Sequence, residues 1–163
     1  MKLQNRKAFT MLELIFVIVI IGILSAVAIP KFAMNRDDAI IAKAKNTVAA
    51  VRNAVATERQ KRILRGNFKK IEKLSVARGN DKDIFDGFDG DIDNPVLEYP
   101  LHSCKDGQDK GCWRVYLFGK GTTANPTKIM YRMPVSGVVK FKLANNRFDC
   151  LSPKSENCIK LTR

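Results

Sequence analysis

Glu13 is the first residue whose type and place could do chemistry. It is the one charge in the run 9–29, and residues 14–29 carry none. A carboxylate inside an apolar helix costs about 2.5–3.5 kcal/mol to place in a bilayer, so either it lies close enough to the membrane surface to stay hydrated or it calls for a cationic partner. No Lys or Arg lies within the run. Three other groups bear on chemistry. Asp89, Asp91 and Asp93 alternate like the opening of a calcium loop, since hard cations take clustered carboxylates. The match then fails, because Asn94 replaces the turn glycine and Pro100 stands where the bidentate Glu belongs. Calcium is therefore a weak candidate, and no other metal or cofactor is expected. Cys104, Cys112, Cys150 and Cys158 allow three pairings. The local pairing Cys104–Cys112 and Cys150–Cys158 closes two short loops and is the expected one; structural zinc favours cysteines two to four residues apart. Gly119-Lys120-Gly121-Thr122 lacks the first glycine and the adjacent hydroxyl of a phosphate loop. His102 is the single histidine, with no plausible triad, and an enzyme is not expected.

The elements that must position these residues follow from composition. The chain has 163 residues and a net charge of +13, with 45% hydrophobic and 28% charged residues. That describes a folded protein and excludes disordered, collagen-like and multi-span classes. The charge is segregated. Residues 31–82 hold fourteen basic and five acidic residues, a net of +9, whereas 83–109 hold eight acids against Lys105, a net of −7. Residues 110–163 return to +9, with eleven basic and two acidic.

Residues 9–30 are long and apolar enough to span a bilayer as a helix. Beyond Pro30, Ile41, Ala44, Val48, Val51 and Val55 recur every three or four residues, one stripe of an amphipathic helix. Arg59 interrupts the stripe, Ile63 rejoins it, and Gly66 is a stop signal. The other face carries Lys43, Arg52, Arg59, Lys61 and Arg62, with Lys69, Lys70 and Lys73 following, and is read as a solvated surface. Residues 67–112 are a connecting region with an acidic loop, in which Phe85 and Phe88 are apolar anchors. In 113–163, three runs alternate as strands: Trp113, Val115 and Leu117; Ile129, Tyr131 and Met133; Val139, Phe141 and Leu143. Asn145-Asn146 tolerates positive φ, so 147–151 returns as a hairpin partner. The expectation is an α+β fold, with a long N-terminal helix, half in the membrane and half amphipathic, packed on a small antiparallel sheet stapled by disulfides.

A new chain terminus at Phe9 would supply the cation that Glu13 lacks. The stretch Lys7-Ala8-Phe9-Thr10-Met11-Leu12-Glu13-Leu14, followed by an apolar run with Gly22 and Pro30, resembles the leader of type IV prepilins and pseudopilins. The resemblance covers about 25 of the 163 residues. It implies that residues 1–8 are removed by a prepilin peptidase, which cuts between Ala8 and Phe9 and methylates the new amine. It also implies that Phe9, Glu13, Gly22 and Pro30 serve assembly, with Glu13 meeting the terminal amine of a neighbouring subunit. The family normally has Gly before the cut, where this chain has Ala8. A plain secretory signal peptide ending at Ala26-Val27-Ala28 is the competing reading, and it leaves Glu13 unexplained.

What the resemblance implies is a single-pass inner-membrane protein with a periplasmic C-terminal domain. The charges flanking the span (Lys2, Arg6 and Lys7 against Lys31, Arg36, Lys43 and Lys45) do not decide the orientation. Expected partners are the peptidase, copies of itself and other pilin-like subunits, an assembly ATPase and inner-membrane platform proteins. Within the family, the expectation is a pseudopilin whose short periplasmic filament drives type II secretion. The alternatives are a competence pseudopilin or minor type IV pilin for DNA uptake, and a tethered periplasmic binding protein. Cys150 to Cys158 resembles the C-terminal disulfide loop of many pilins. DNA binding is expected to be weak and lost with moderate salt, because net charge alone gives only non-specific attraction and the helix cations lack interleaved aromatics.

Overall fold

The structure, a computed structural model, describes residues 9–76, 80–106, 108–115 and 128–163. It divides into two compact units, Met1–Arg36 and Asp37–Arg163. The leader 1–8, the expected strand positions Tyr116 and Leu117, and Gly119-Lys120-Gly121-Thr122 lie outside the described residues.

One helix, α1 (Met11–Leu64), runs from the first unit into the second. In the first unit its side chains are exposed all round, from Leu12 and Ile15 to Val27 and Ile29, on a stretch long and apolar enough to cross a membrane. Pro30 lies within the helix. In the second unit Ala44, Val48, Val51 and Val55 are buried, and Ile41 packs partly against the same core. The stripe continues differently from the expectation. Ile63 is 43% exposed, and the buried residue is Glu58, at 7%. Glu58 follows Val51 and Val55 at helical spacing, and an ion pair with Arg62 makes its burial tolerable. The helix ends in a Schellman turn. Gly66, at φ +73°, donates its N–H to Ile63 O, and Asn67 donates to Arg62 O. The left-handed conformation there favours glycine.

Four antiparallel strands follow in meander order: β3 (Cys112–Val115), β4 (Lys128–Arg132), β5 (Val138–Ala144) and β6 (Arg147–Cys150). β5 alternates strictly between exposed and buried residues. One inward row joins Val115, Ile129, Phe141 and Cys150 across the sheet, and another joins Trp113, Tyr131 and Val139. Period-2 alternation thus turns one face onto α1 and the Lys140 and Lys142 side outward. Asn145 and Asn146 both have positive φ in the two-residue turn between β5 and β6, as type I′ hairpins require. Phe85, Trp113, Phe141 and Phe148 form an aromatic cluster, with Phe141 stacked on Phe148 at 4.9 Å and Phe85 edge-on to Trp113 at 5.6 Å.

The connecting region contains a second sheet that its composition did not disclose. β1 (Asp83–Ile84) pairs with β2 (Leu101–His102). Ile84, Phe85 and Phe88 are buried, so both phenylalanines anchor the loop. Gly87 is required, because a Cβ there would run into the Asp91 carbonyl. Within the expected C-terminal disulfide loop and beyond it lies a short helix, α2 (Glu156–Thr162). Ser155 caps it by accepting from the Cys158 N–H, and Leu161 is fully buried. Disulfides join Cys104 to Cys112 and Cys150 to Cys158. The first ties the segment after β2 to the start of β3, and the second ties β6 to α2.

Candidate functional site: the N-terminal segment

The helix begins where Thr10 and Glu13 meet. The Thr10 backbone N–H donates to Glu13 Oε2 at 3.1 Å, and the Thr10 hydroxyl donates to the same oxygen at 3.2 Å. The Glu13 N–H is in turn 3.2 Å from the Thr10 hydroxyl oxygen. Thr10 is the N-cap and Glu13 the third helical residue, so the pair forms a capping box. It satisfies two otherwise orphaned donors, and it places a carboxylate at the positive end of the helix dipole. Both Thr10 contacts use Oε2, which leaves Oε1 open to a further donor. The Thr-x-x-Glu spacing carries the signal for this pairing in the sequence.

Phe9, next to the cap, is 83% exposed. Gly22 has nothing within 4 Å of where a Cβ would stand, so nothing in the described residues needs its small size. Phe9 and Glu13 lie together at the helix start, while Gly22 and Pro30 are one and two helical stretches further on. Ala8 lies outside the described residues.

The acidic triplet is not gathered around a cation site. Asp89 Oδ2 accepts from Arg62 at 2.6 Å, and its Oδ1 accepts from the Glu72 and Lys73 backbone N–H groups. Asp91 Oδ1 accepts from the Asp93 N–H in a local turn. Among the described residues no group of three or more His, Cys, Asp or Glu side chains is arranged to hold a metal. Asp89 instead fastens the loop to the end of α1. Arg62 donates to Glu58 at 2.7 Å as well, and burial, which alone would lower its pKa, is outweighed by these two hydrogen bonds, so the pKa is raised.

The helix cations are less free than a solvated face suggests. Arg52 donates to Phe148 O and Asp149, and Arg59 donates to Lys69 O. Lys61, Lys69 and Lys70 remain exposed. His102 bridges β1 and its approach, with Nδ1 3.0 Å from Asp83 and Nε2 2.9 Å from Asp81. Beside it a cleft of about 320 Å³ opens between the helix face at Ile40, Lys43 and Thr47 and the sheet residues Trp113 and Tyr131. The Tyr131 hydroxyl reaches Ile40 O at 3.4 Å, and burial pushes its pKa up to about 12.

A capped apolar helix start, exposed throughout, on a unit that packs one helix over small antiparallel sheets defines a pilin-like arrangement. The comparisons agree with it. The model of the prokaryotic N-terminal methylation motif matches residues 3–29. Over 53 residues the chain is 51% identical to the type IV narrow pilus major component PilA5 of Thermus thermophilus, a match that covers 32% of this chain and 46% of that protein. No solved structure matches the chain. The N-terminal part of the chain is thus type IV pilin-like, with a prepilin-type leader, and among the described residues α1 is a candidate single-pass anchor.

Proposed function

We propose that the chain is a filament subunit, cut between Ala8 and Phe9, N-methylated on Phe9, and polymerised through its N-terminal helix. The carrying observation is the Thr10–Glu13 capping box at the head of an uncovered apolar helix. Glu13 is held at the position where a neighbouring subunit's ammonium would reach it, and Oε1 is open to accept. In low dielectric such a pair attracts strongly, which offsets the burial of the carboxylate. The apolar helix holds the subunit in the membrane before assembly and packs against other helices afterwards. The inner membrane, the peptidase, an assembly ATPase and platform proteins are the surroundings this reading requires, with the second unit on the periplasmic side.

The machine we favour is a type IV pilus rather than the short secretion filament expected from the sequence. Two observations support the change: the similarity to a pilus component, and the closed loop from Cys150 to Cys158. A type II secretion or competence filament would use the same leader and helix.

Intact mass of the membrane-bound form tests the processing. The expected species begins at methylated Phe9, and a chain beginning at Met1 or Ile29 would refute the reading. Shearing cells and probing the released material separates the machines, since a pilus subunit is recovered in the sheared fraction and a periplasmic filament is not.

A further inference from the structure

Two exposed surfaces of the second unit match one another in chemistry. The first surrounds the end of α1. Leu64 is 88% exposed, Phe68 69% and Ile63 43%, and around them stand the exposed cations Lys61, Arg65, Lys69 and Lys70. Of these four, Lys70 reaches Asn145, and none is in an ion pair among the described residues. The apolar side chains do not belong to the core, because the Schellman turn carries the chain off the helix just where the buried stripe has ended at Glu58.

The second surface is the outer side of the acidic loop. Ile92 is 68% and Tyr99 80% exposed, flanked by the exposed carboxylates Asp91, Asp93 and Glu98. No Lys or Arg occurs from residue 83 to residue 104. Asp91 accepts one local backbone N–H, and Asp93 and Glu98 enter no ion pair among the described residues. The residue that does neutralise loop charge, Arg62, is spent on Asp89 and Glu58.

We infer that these surfaces are the two halves of one contact between copies of this chain: the cationic, apolar end of α1 on one subunit docks on Asp91–Ile92–Asp93 and Glu98–Tyr99 of the next. Each half has apolar side chains at its centre; cations predominate around the first, with Glu72 and Asp89 among them, and carboxylates flank the second. Such a contact takes its affinity from the apolar centre and its register from the charges, which also disfavour like-with-like pairing. Asp89 holds the two patches near one another on one chain, and where each engages a different neighbour the contact is heterologous and can repeat without closing. The cleft beside His102 is a poorer rival, since Lys43 and the Asp81–His102–Asp83 cluster give its rim mixed charge. The inference rests on the filament reading above and adds the contact between second units to the one between helices.

The test uses the full chain in cells that assemble filaments, with Lys69→Glu/Lys70→Glu and Asp93→Lys/Glu98→Lys, separately and together. All four positions are exposed, and the membrane-bound pool and its disulfides report that each variant folds. Each double variant should lower the sheared filament yield about tenfold with the membrane pool intact. The quadruple variant, with the charges exchanged, should recover most of it. Leu64→Ser/Phe68→Ser should lower the yield without rescue. Normal yield from both charge variants, or loss without recovery in the quadruple, would overturn the contact. So would normal filaments from a Lys69→Glu/Lys70→Glu chain that has lost binding to anionic vesicles or single-stranded DNA, since the cations would then serve another partner. Glu13→Ala distinguishes the two readings: a Glu13→Ala chain that still forms filaments removes the filament mechanism, whereas normal charge variants remove only this contact.

Discussion

Thr10 and Glu13 satisfy each other at the head of α1, and they do so through one oxygen of the carboxylate, Glu13 Oε2. On the proposed function, the arrangement reconciles two demands on Glu13. It must be tolerated in an apolar helix before it has met a partner, and it must still be able to accept a hydrogen bond when it does. The expected outcome for Glu13→Ala is a subunit that is cleaved and membrane-bound but absent from filaments. Thr10→Ala should lose about 1 kcal/mol of capping and lower filament yield partially, while Thr10→Ser restores it. Sheared yield against membrane pool measures both.

The link between Arg62, Glu58 and Asp89 predicts an unequal response to mutation. Arg62→Ala leaves the Glu58 carboxylate buried with no cation, and should cost about 3 kcal/mol. Asp89→Ala removes the acceptor of two backbone N–H groups as well as one ion pair, and these donors are exposed enough to turn to water, so about 1–2 kcal/mol is expected. Denaturant unfolding of the purified protein in detergent gives both values.

His102 makes the stability of the β1–β2 corner depend on pH. Its pKa is raised by hydrogen bonds to Asp83 and Asp81, so its contribution is complete below its ordinary value of about 6.5 and is lost as pH rises through the raised one. Asp81 is shifted the other way: its hydrogen bond to His102 lowers its pKa, so its contribution is present above the ordinary carboxyl value and is lost as pH falls through the lowered one. Lys82 and Lys105 also face Asp81. Thermal unfolding should show a loss of stability as pH rises past the ordinary histidine value, which His102→Gln removes.

The two bridges should be equally resistant to exchange in the folded protein, as Cys104 and Cys158 are almost fully buried. Peptide mapping without reductant should recover Cys104–Cys112 and Cys150–Cys158. Replacing the pair Cys150 and Cys158 by serine should destabilise the second unit by about 2.5 kcal/mol in the chain-entropy model, chiefly by releasing α2.

Calcium or a chelator should leave the unfolding temperature unchanged. Asp89 has both oxygens engaged by Arg62 and backbone donors, so a cation would have to displace them.

Much of this was legible before the structure, and for physical reasons. The stripe Ala44, Val48, Val51 and Val55 is long enough for a 3.6-residue period to stand out, and Val139, Phe141 and Leu143 alternate over a seven-residue strand. What escaped reading is short or non-local. β1 and β2 have two residues each, too few for any period, and α2 buries only Cys158 and Leu161, one pair at i, i+3. The burial of Glu58 is not legible in the sequence, because it depends on what covers both Glu58 and its partner Arg62 one turn on. Asp89 alternated with Asp91 and Asp93 as a cation loop would, yet at φ +54° it turns toward α1. Ile63 fitted the stripe by spacing, but it is 43% exposed.

The disulfides each span eight residues, and that has a bearing on how the chain matures. If the second unit is exported as proposed, each cysteine finds its partner within a segment that leaves a translocation channel almost at once, so oxidation does not have to wait for α1 to meet the sheet. Cross-pairing would require Cys104 or Cys112 to remain reduced while some forty more residues emerge. On that reading the order of emergence favours the local pairs, and a subunit can be fully oxidised before it meets a neighbour.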